Sequence, residues 1–210
     1  MSLIFDFLFE QYKGYETNQI ILEVIAVVFG IASAFCSVRN SIWVYPLGIV
    51  STSIFVYLLW QWELLGDMVI QAYYFIMSIY GWFIWSRKVD AVHTTPITRT
   101  TPKEHLISLY IFLGTLVFIY GIYELFDKWT SWTAYVDTLT TALFFVGMWL
   151  LARRKLEHWL YLLAGNIISV PLYFIKGYTI SSGLYVIFVF IAVTGYFAWK
   201  KHLSRSLQPI

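Results

Sequence analysis

Residues 67–85 read DMVIQAYYFIMSIYGWFIW, and after Asp67 no ionisable acid or base interrupts the run before Trp85. At 1.5 Å per residue such a helix crosses the roughly 30 Å of bilayer hydrocarbon. Six further runs of the same kind lie on either side. Together they predict spans at 20–37, 42–60, 67–85, 105–126, 134–152, 159–176 and 181–199. The composition agrees: of 210 residues 60% are apolar and 12% charged, against about 25% charged in soluble domains. A mean hydropathy of +0.69 is too high for one water-surrounded core of this size. High hydrophobicity with a net charge of +2 excludes a disordered chain, and the single Cys36 excludes a disulfide scaffold. Nothing in the pattern indicates nucleic-acid binding. In the first 19 residues the apolar stretch Leu3–Phe9 is interrupted by Asp6 and followed by Glu10, which predicts an interfacial segment and no signal peptide.

If the spans alternate in direction, the basic residues segregate. Arg39, Arg87, Lys88, Arg99, Lys103, Arg153, Arg154, Lys155, Lys200, Lys201 and Arg205 fall on one side, and only Lys13, Lys128 and Lys176 on the other. The positive-inside rule then places the N-terminus outside and the C-terminus in the cytoplasm, as for a multi-pass protein of a bacterial inner membrane. Trp43, Trp60, Trp62, Trp85, Trp129, Trp132, Trp159 and Trp199 lie near predicted span ends and read as interfacial anchors.

The stretch that opens this reading recurs. Gly81-Trp82-Phe83-Ile84-Trp85 at the end of span three is answered by Gly195-Tyr196-Phe197-Ala198-Trp199 at the end of span seven. Span two aligns with span six through Trp43/Trp159, Tyr45/Tyr161 and Tyr57/Tyr173, with Arg39 and Lys155 each four residues ahead. Spans one to three thus correspond to spans five to seven, and span four has no counterpart. Two three-helix units in tandem insert in opposite directions unless an extra crossing separates them, so the leftover span makes the repeats parallel. The expected fold is an all-α integral membrane protein of seven transmembrane helices, two parallel three-helix repeats joined by a linker helix, with a substrate site between the bundles. The organisation reads as an N-terminal segment 1–19, a first bundle 20–85, a cytoplasmic loop 86–104, a linker helix 105–126, a second bundle 134–199 and a tail 200–210.

Polar side chains inside hydrocarbon are costly unless paired or facing a wet cavity, which makes each a site candidate. Gln71, Tyr74 and Ser78 share one face of span three, running toward Trp82. Asn166, Ser169 and Tyr173 repeat that spacing in span six, and Asp137, Thr138, Thr141, Phe145 and Trp149 mark a stripe of span five. Hydroxyls at Ser51, Ser53, Thr138 and Thr141 more often bond back to helix carbonyls or join helices than hold a ligand. The carboxamides of Gln71 and Asn166 are harder to satisfy that way. Asp137 reads equally as a site residue or as a solvated residue at a helix start. The spans hold no paired ionisable groups for a proton relay, no metal-ligand spacing among His93, His105, His158 and His202, and no nucleophile or phosphate-loop motif. An enzyme is not expected, nor is any cofactor.

Gln71 followed by Tyr80-Gly81-Trp82, then Asp137, then Arg154, Lys155, Glu157, Trp159, Asn166, Ser169 and Gly177 in that order resemble the PnuC family of nicotinamide riboside transporters. The resemblance implies a SWEET-like 3+1+3 fold, uptake of the vitamin B3 precursor by facilitated diffusion, a cytoplasmic kinase that phosphorylates the product, and a homotrimer. It places substrate contacts at Gln71, Tyr74, Tyr80, Trp82, Asp137, Thr141, Trp149, Asn166, Ser169 and Tyr173. Aromatic faces suit the pyridinium cation and amides suit the carboxamide and ribose. The Pro-Gln hinge of SWEET sugar carriers is absent, yet a carrier of a sugar or another vitamin stays open as the alternative.

Overall fold

The computed structural model describes residues 16–62, 64–87, 95–127, 129 and 131–206. Most of the expected interfacial segment, with Lys13, Lys88, His93 and Lys128, lies outside the described residues. Seven helices follow in order: α1 (Thr17–Val38), α2 (Val44–Gln61), α3 (Leu65–Ser86), α4 (Pro102–Leu125), α5 (Thr133–Ala152), α6 (His158–Ile175) and α7 (Thr179–Ser206). Each is long and apolar enough to cross a membrane, and no strand occurs among the described residues. The ends follow local chemistry. Thr101 and Glu104 form a capping box around Pro102 at the start of α4, so that helix begins three residues ahead of the hydropathy boundary. Helix α7 runs past Trp199 to Ser206, because a helix carrying Lys200, Lys201 and Arg205 keeps its hydrogen bonds after it leaves the hydrocarbon.

The first three helices superimpose in sequence on the last three at a single offset of 114 residues: Val44 and His158 open α2 and α6, and Leu65 and Thr179 open α3 and α7. This corrects the alignment of spans two and six, where the tryptophan and tyrosine coincidences put the offset at 116. The structural counterpart of Trp159 is Tyr45, and Trp43 is 61% exposed. Packing shows why. A Cβ on Gly81 would fall 2.2 Å from the Tyr45 ring, and one on Gly195 would fall 2.4 Å from the Trp159 ring. Each repeat therefore buries one large ring against one glycine, and this pairing sets the register. Within repeats α1 packs on α2 and α2 on α3, as α5 packs on α6 and α6 on α7. Between repeats α3 meets α5 and α7 meets α1, two contacts exchanged by a twofold axis. Helix α4 packs on α5.

At the end where the basic loops gather, here called the basic end, the repeats lock together. Helices α1 and α5 both terminate there with a left-handed residue, Asn40 (φ 54°) and Arg154 (φ 55°), whose N–H groups donate to Ser37 O and Leu151 O at 2.9 Å. The indole of Trp199 donates across the interface to Ser37 O at 2.8 Å, and the indole of Trp85 donates to Ala152 O at 3.1 Å. Tyr45, Trp85, Trp159 and Trp199 are almost fully buried and form one core with Leu151, Leu156 and Ile191. The expectation that all eight tryptophans near span ends anchor the interface is corrected for three of them: Trp85, Trp159 and Trp199 seal the join between repeats, whereas Trp43, Trp60 and Trp132 stay about 60% exposed. The segment 95–101 straps over this end. Thr98 exchanges backbone hydrogen bonds with Arg154 and Leu156, Thr100 donates to Glu157, and Arg154 lies over the Trp85 ring at 4.0 Å and bonds Thr95 O. Glu104 accepts from Arg153 at 3.2 Å and pairs with Lys155 at 2.9 Å.

Candidate functional site

Between the sealed basic end and the opposite end, aromatic rings from four helices converge. Tyr73 of α3 stacks on Phe145 of α5 at 3.7 Å and donates its hydroxyl to Phe145 O at 2.9 Å. Tyr74 meets the same ring edge-on at 5.9 Å. Tyr173 of α6 lies 4.8 Å from Tyr185 of α7, which is also aligned with Phe144 of α5. The interface of the repeats at this level is thus faced with rings where aliphatic packing would leave no polar handle.

The polar groups of the cluster are concentrated in the second repeat. Asn166 is 6% exposed, and its carboxamide forms no hydrogen bond among the described residues. Ser169 is fully buried. Its hydroxyl closes no well-formed hydrogen bond, although the Tyr185 hydroxyl, which also bonds Tyr173, comes within its range. Nearer the opposite end, the Lys176 ammonium bonds the Asp137 carboxylate and sits 5.6 Å from the Tyr173 ring centroid. Asp67 at the start of α3 and Asp137 are both within electrostatic range of Tyr173 and Tyr185. Other hydroxyls behave as expected for membrane helices: Thr138 donates to Ala134 O, Ser53 to Ile49 O, Ser78 to Tyr74 O, and Ser51 across to Ala26 O of α1.

Of the residues singled out by sequence, the structure gathers Tyr74, Asp137, Asn166, Ser169 and Tyr173 about this cluster. Gln71 is half-buried one turn from Tyr74, and Thr141 is buried one turn from Phe145. Trp82 and Trp149 are not brought to it. The face of Gln71, Tyr74 and Ser78 continues to Gly81 and Trp85, because seven residues at 100° each return closer to the starting direction than four do. Trp82 is therefore left 43% exposed. Trp149 lies a turn beyond Phe145 toward the basic end, where the Arg153 guanidinium covers it at 5.4 Å. Tyr80 is half-buried, two turns from Tyr73. Sequence reasoning missed Tyr73, Tyr185 and Lys176. The uniform offset would have found Tyr185, which occupies the position in the second repeat that Gln71 holds in the first. The scaffold is symmetric and the site is not: Thr52 stands where the second repeat has Asn166, and Glu23 where it has Asp137.

A family described as nicotinamide mononucleotide transporter matches residues 20–201. The chain belongs to this family. It is accordingly a multi-pass membrane transporter and not an enzyme. Among similar proteins, the nicotinamide riboside transporters PnuC of Escherichia coli (strain K12) and of Shigella flexneri are each 24% identical over 222 residues, covering 93% of this chain and 92% of theirs. A crystal structure of the vitamin B3 transporter PnuC has a TM-score of 0.66 and 22% identity, covering 88% of this chain and 82% of that one. That likeness carries the fold of the described residues, an all-α arrangement of seven membrane-length helices. The family name speaks of a mononucleotide and the relatives' names of a riboside. The phosphate that separates the two is the chemical distinction the site must make.

Proposed function

We propose that this member of the family carries nicotinamide riboside across a bacterial inner membrane by facilitated diffusion. One observation carries the reading. The ring-faced site between the repeats holds a buried carboxamide, Asn166, and a buried hydroxyl, Ser169 beside Tyr185, and its one described cation, Lys176, is already matched by Asp137. A phosphate in hydrocarbon surroundings needs an unmatched basic group, whereas a desolvated pyridinium is stabilised by aromatic faces and further by a nearby carboxylate. Gln71, Tyr74, Tyr80, Asp137, Thr141, Asn166, Ser169 and Tyr173 remain the proposed contacts, with Tyr73 and Tyr185 added from their positions and Trp82 and Trp149 left out because the structure holds them away from the cluster.

The segregation of Arg and Lys supports an outside N-terminus and a cytoplasmic basic end. In that orientation the chain is closed toward the cytoplasm by the Trp85 and Trp199 seal. Rocking of one repeat against the other opens it, and phosphorylation by a cytoplasmic kinase keeps free riboside low inside and so makes net flux inward. Assembly as a homotrimer is part of the same proposal and rests on the family resemblance. The test is uptake into proteoliposomes preloaded with a riboside kinase and ATP. Riboside is expected to accumulate as its phosphate, unaffected by a proton ionophore, while external mononucleotide stays out. Uptake that collapses with the pH gradient overturns the uniport reading, and uptake of mononucleotide overturns the substrate.

A further inference from the structure

The Lys176–Asp137 pair has an unusual setting for a surface ion pair. The Asp137 side chain is 15% exposed and that of Lys176 24%, and the Lys176 ammonium lies over Tyr173, the ring that faces Tyr185 in the candidate site. A cation therefore already rests against a carboxylate and an aromatic face, the two groups a pyridinium would use. From this arrangement we propose that Lys176 is a tethered stand-in for the substrate's cation. In the empty protein its ammonium neutralises Asp137 and covers Tyr173. On binding, the pyridinium takes that place and the lysine side chain swings into the water at the mouth of the site. The inference rests on the riboside reading for its biological substrate, while its chemistry needs only a pyridinium.

The physical case is one of compensation. An unpaired carboxylate this far out of water is unfavourable, so an empty cation site needs a resident counter-charge. Lys176 is the C-cap residue just past the end of α6, and its four-carbon stem lets the ammonium reach Asp137 in one rotamer and solvent in another. A neutral ligand gains nothing from evicting the lysine, and an anion meets the Asp137 carboxylate. The pair thus favours cations over neutral analogues of equal shape.

Two measurements test this. In the wild-type protein, lysine acylation by a water-soluble ester is followed by peptide mass spectrometry, with Lys201 as the internal reference. Saturating nicotinamide riboside, or 1-methylnicotinamide as a ribose-free pyridinium probe, is expected to raise Lys176 reactivity by about fivefold or more, as expulsion of an ion-paired amine into water requires. Lys176 that is protected or unchanged at saturation overturns the proposal. Second, calorimetric titration compares the cationic riboside with its neutral dihydro form. Lys176→Gln is expected to tighten the cation about tenfold with little change for the neutral form, and Asp137→Asn to weaken the cation selectively. Equal effects on both ligands overturn the proposal. If 1-methylnicotinamide exposes Lys176 but riboside does not bind, the exchange stands and the riboside reading falls. If riboside binds without exposing Lys176, the reverse holds.

Discussion

Replacing Trp85 or Trp199 by Phe removes an indole N–H while keeping an aromatic ring, and the two variants are not equivalent. Trp199 donates to Ser37 O, which also accepts from the Asn40 N–H at 2.9 Å, so Trp199→Phe leaves that carbonyl partly satisfied. Loss of one such bond costs about 1 kcal/mol. Trp85 donates to Ala152 O, a carbonyl at the last residue of α5 with no backbone partner among the described residues. Trp85→Phe orphans it in a buried place, a cost of about 1–3 kcal/mol. Both bonds join one repeat to the other at the basic end; on the rocking mechanism proposed above they hold the closed state and have no place in one where that end is parted. The lost energy therefore moves the opening equilibrium, by about 5-fold for Trp199→Phe and about 5- to 150-fold for Trp85→Phe. The native Cys36 reports it, being the one cysteine of the chain and packed against the sealing cluster. Maleimide labelling well below the melting temperature is expected to quicken in the order wild type, Trp199→Phe, Trp85→Phe, with helix content unchanged. Labelling that stays at the wild-type rate in Trp85→Phe, or rises equally in both, refutes the assignment of these bonds to the closed state.

Asn166→Ala is expected to weaken riboside binding by about 1–3 kcal/mol, read by titration calorimetry, with Gln71→Ala smaller because Gln71 is less buried. Gly81→Ala and Gly195→Ala each force a methyl group against a ring, and both should lower thermal stability in detergent by about 1–3 kcal/mol; pairing with Tyr45→Phe should not rescue the first, since the clash involves ring carbons as well as the hydroxyl. Glu104→Ala removes the shared partner of Arg153 and Lys155 together with the carboxylate half of the α4 capping box. It is expected to destabilise by about 1–3 kcal/mol, the lower end reflecting the 41% exposure of Arg153, and to speed proteolysis within 95–101.

The spans were legible because a helix in hydrocarbon must satisfy its own backbone, which forces long apolar runs with charge at their ends. Boundaries moved by three residues or more where capping or solvent-exposed helix extended them, at Glu16, at Thr101 and beyond Trp199. The fate of individual rings was not legible. Trp85 and Trp43 are both tryptophans near span ends, yet one is buried at 1% and the other exposed at 61%. Lipid is as apolar as a protein interior, so hydropathy gives no sign of which face meets a helix and which meets acyl chains. The same degeneracy let aromatic identity mislead the alignment of α2 with α6, where Trp43 matches Trp159 by letter and Tyr45 matches it by place.

The chain by itself determined seven crossings, their alternation, the clustering of basic residues at one end and the existence of a duplicated unit. These follow from local hydrogen bonding and from counting. Only the tertiary structure decided the offset of 114, the crossing of indoles from each repeat to the other, and the union of Tyr73, Phe145, Tyr173 and Tyr185 with the Lys176–Asp137 pair. Those depend on which faces of separate helices come together, and that is set by the fit of large rings against glycines more than 30 residues away in sequence.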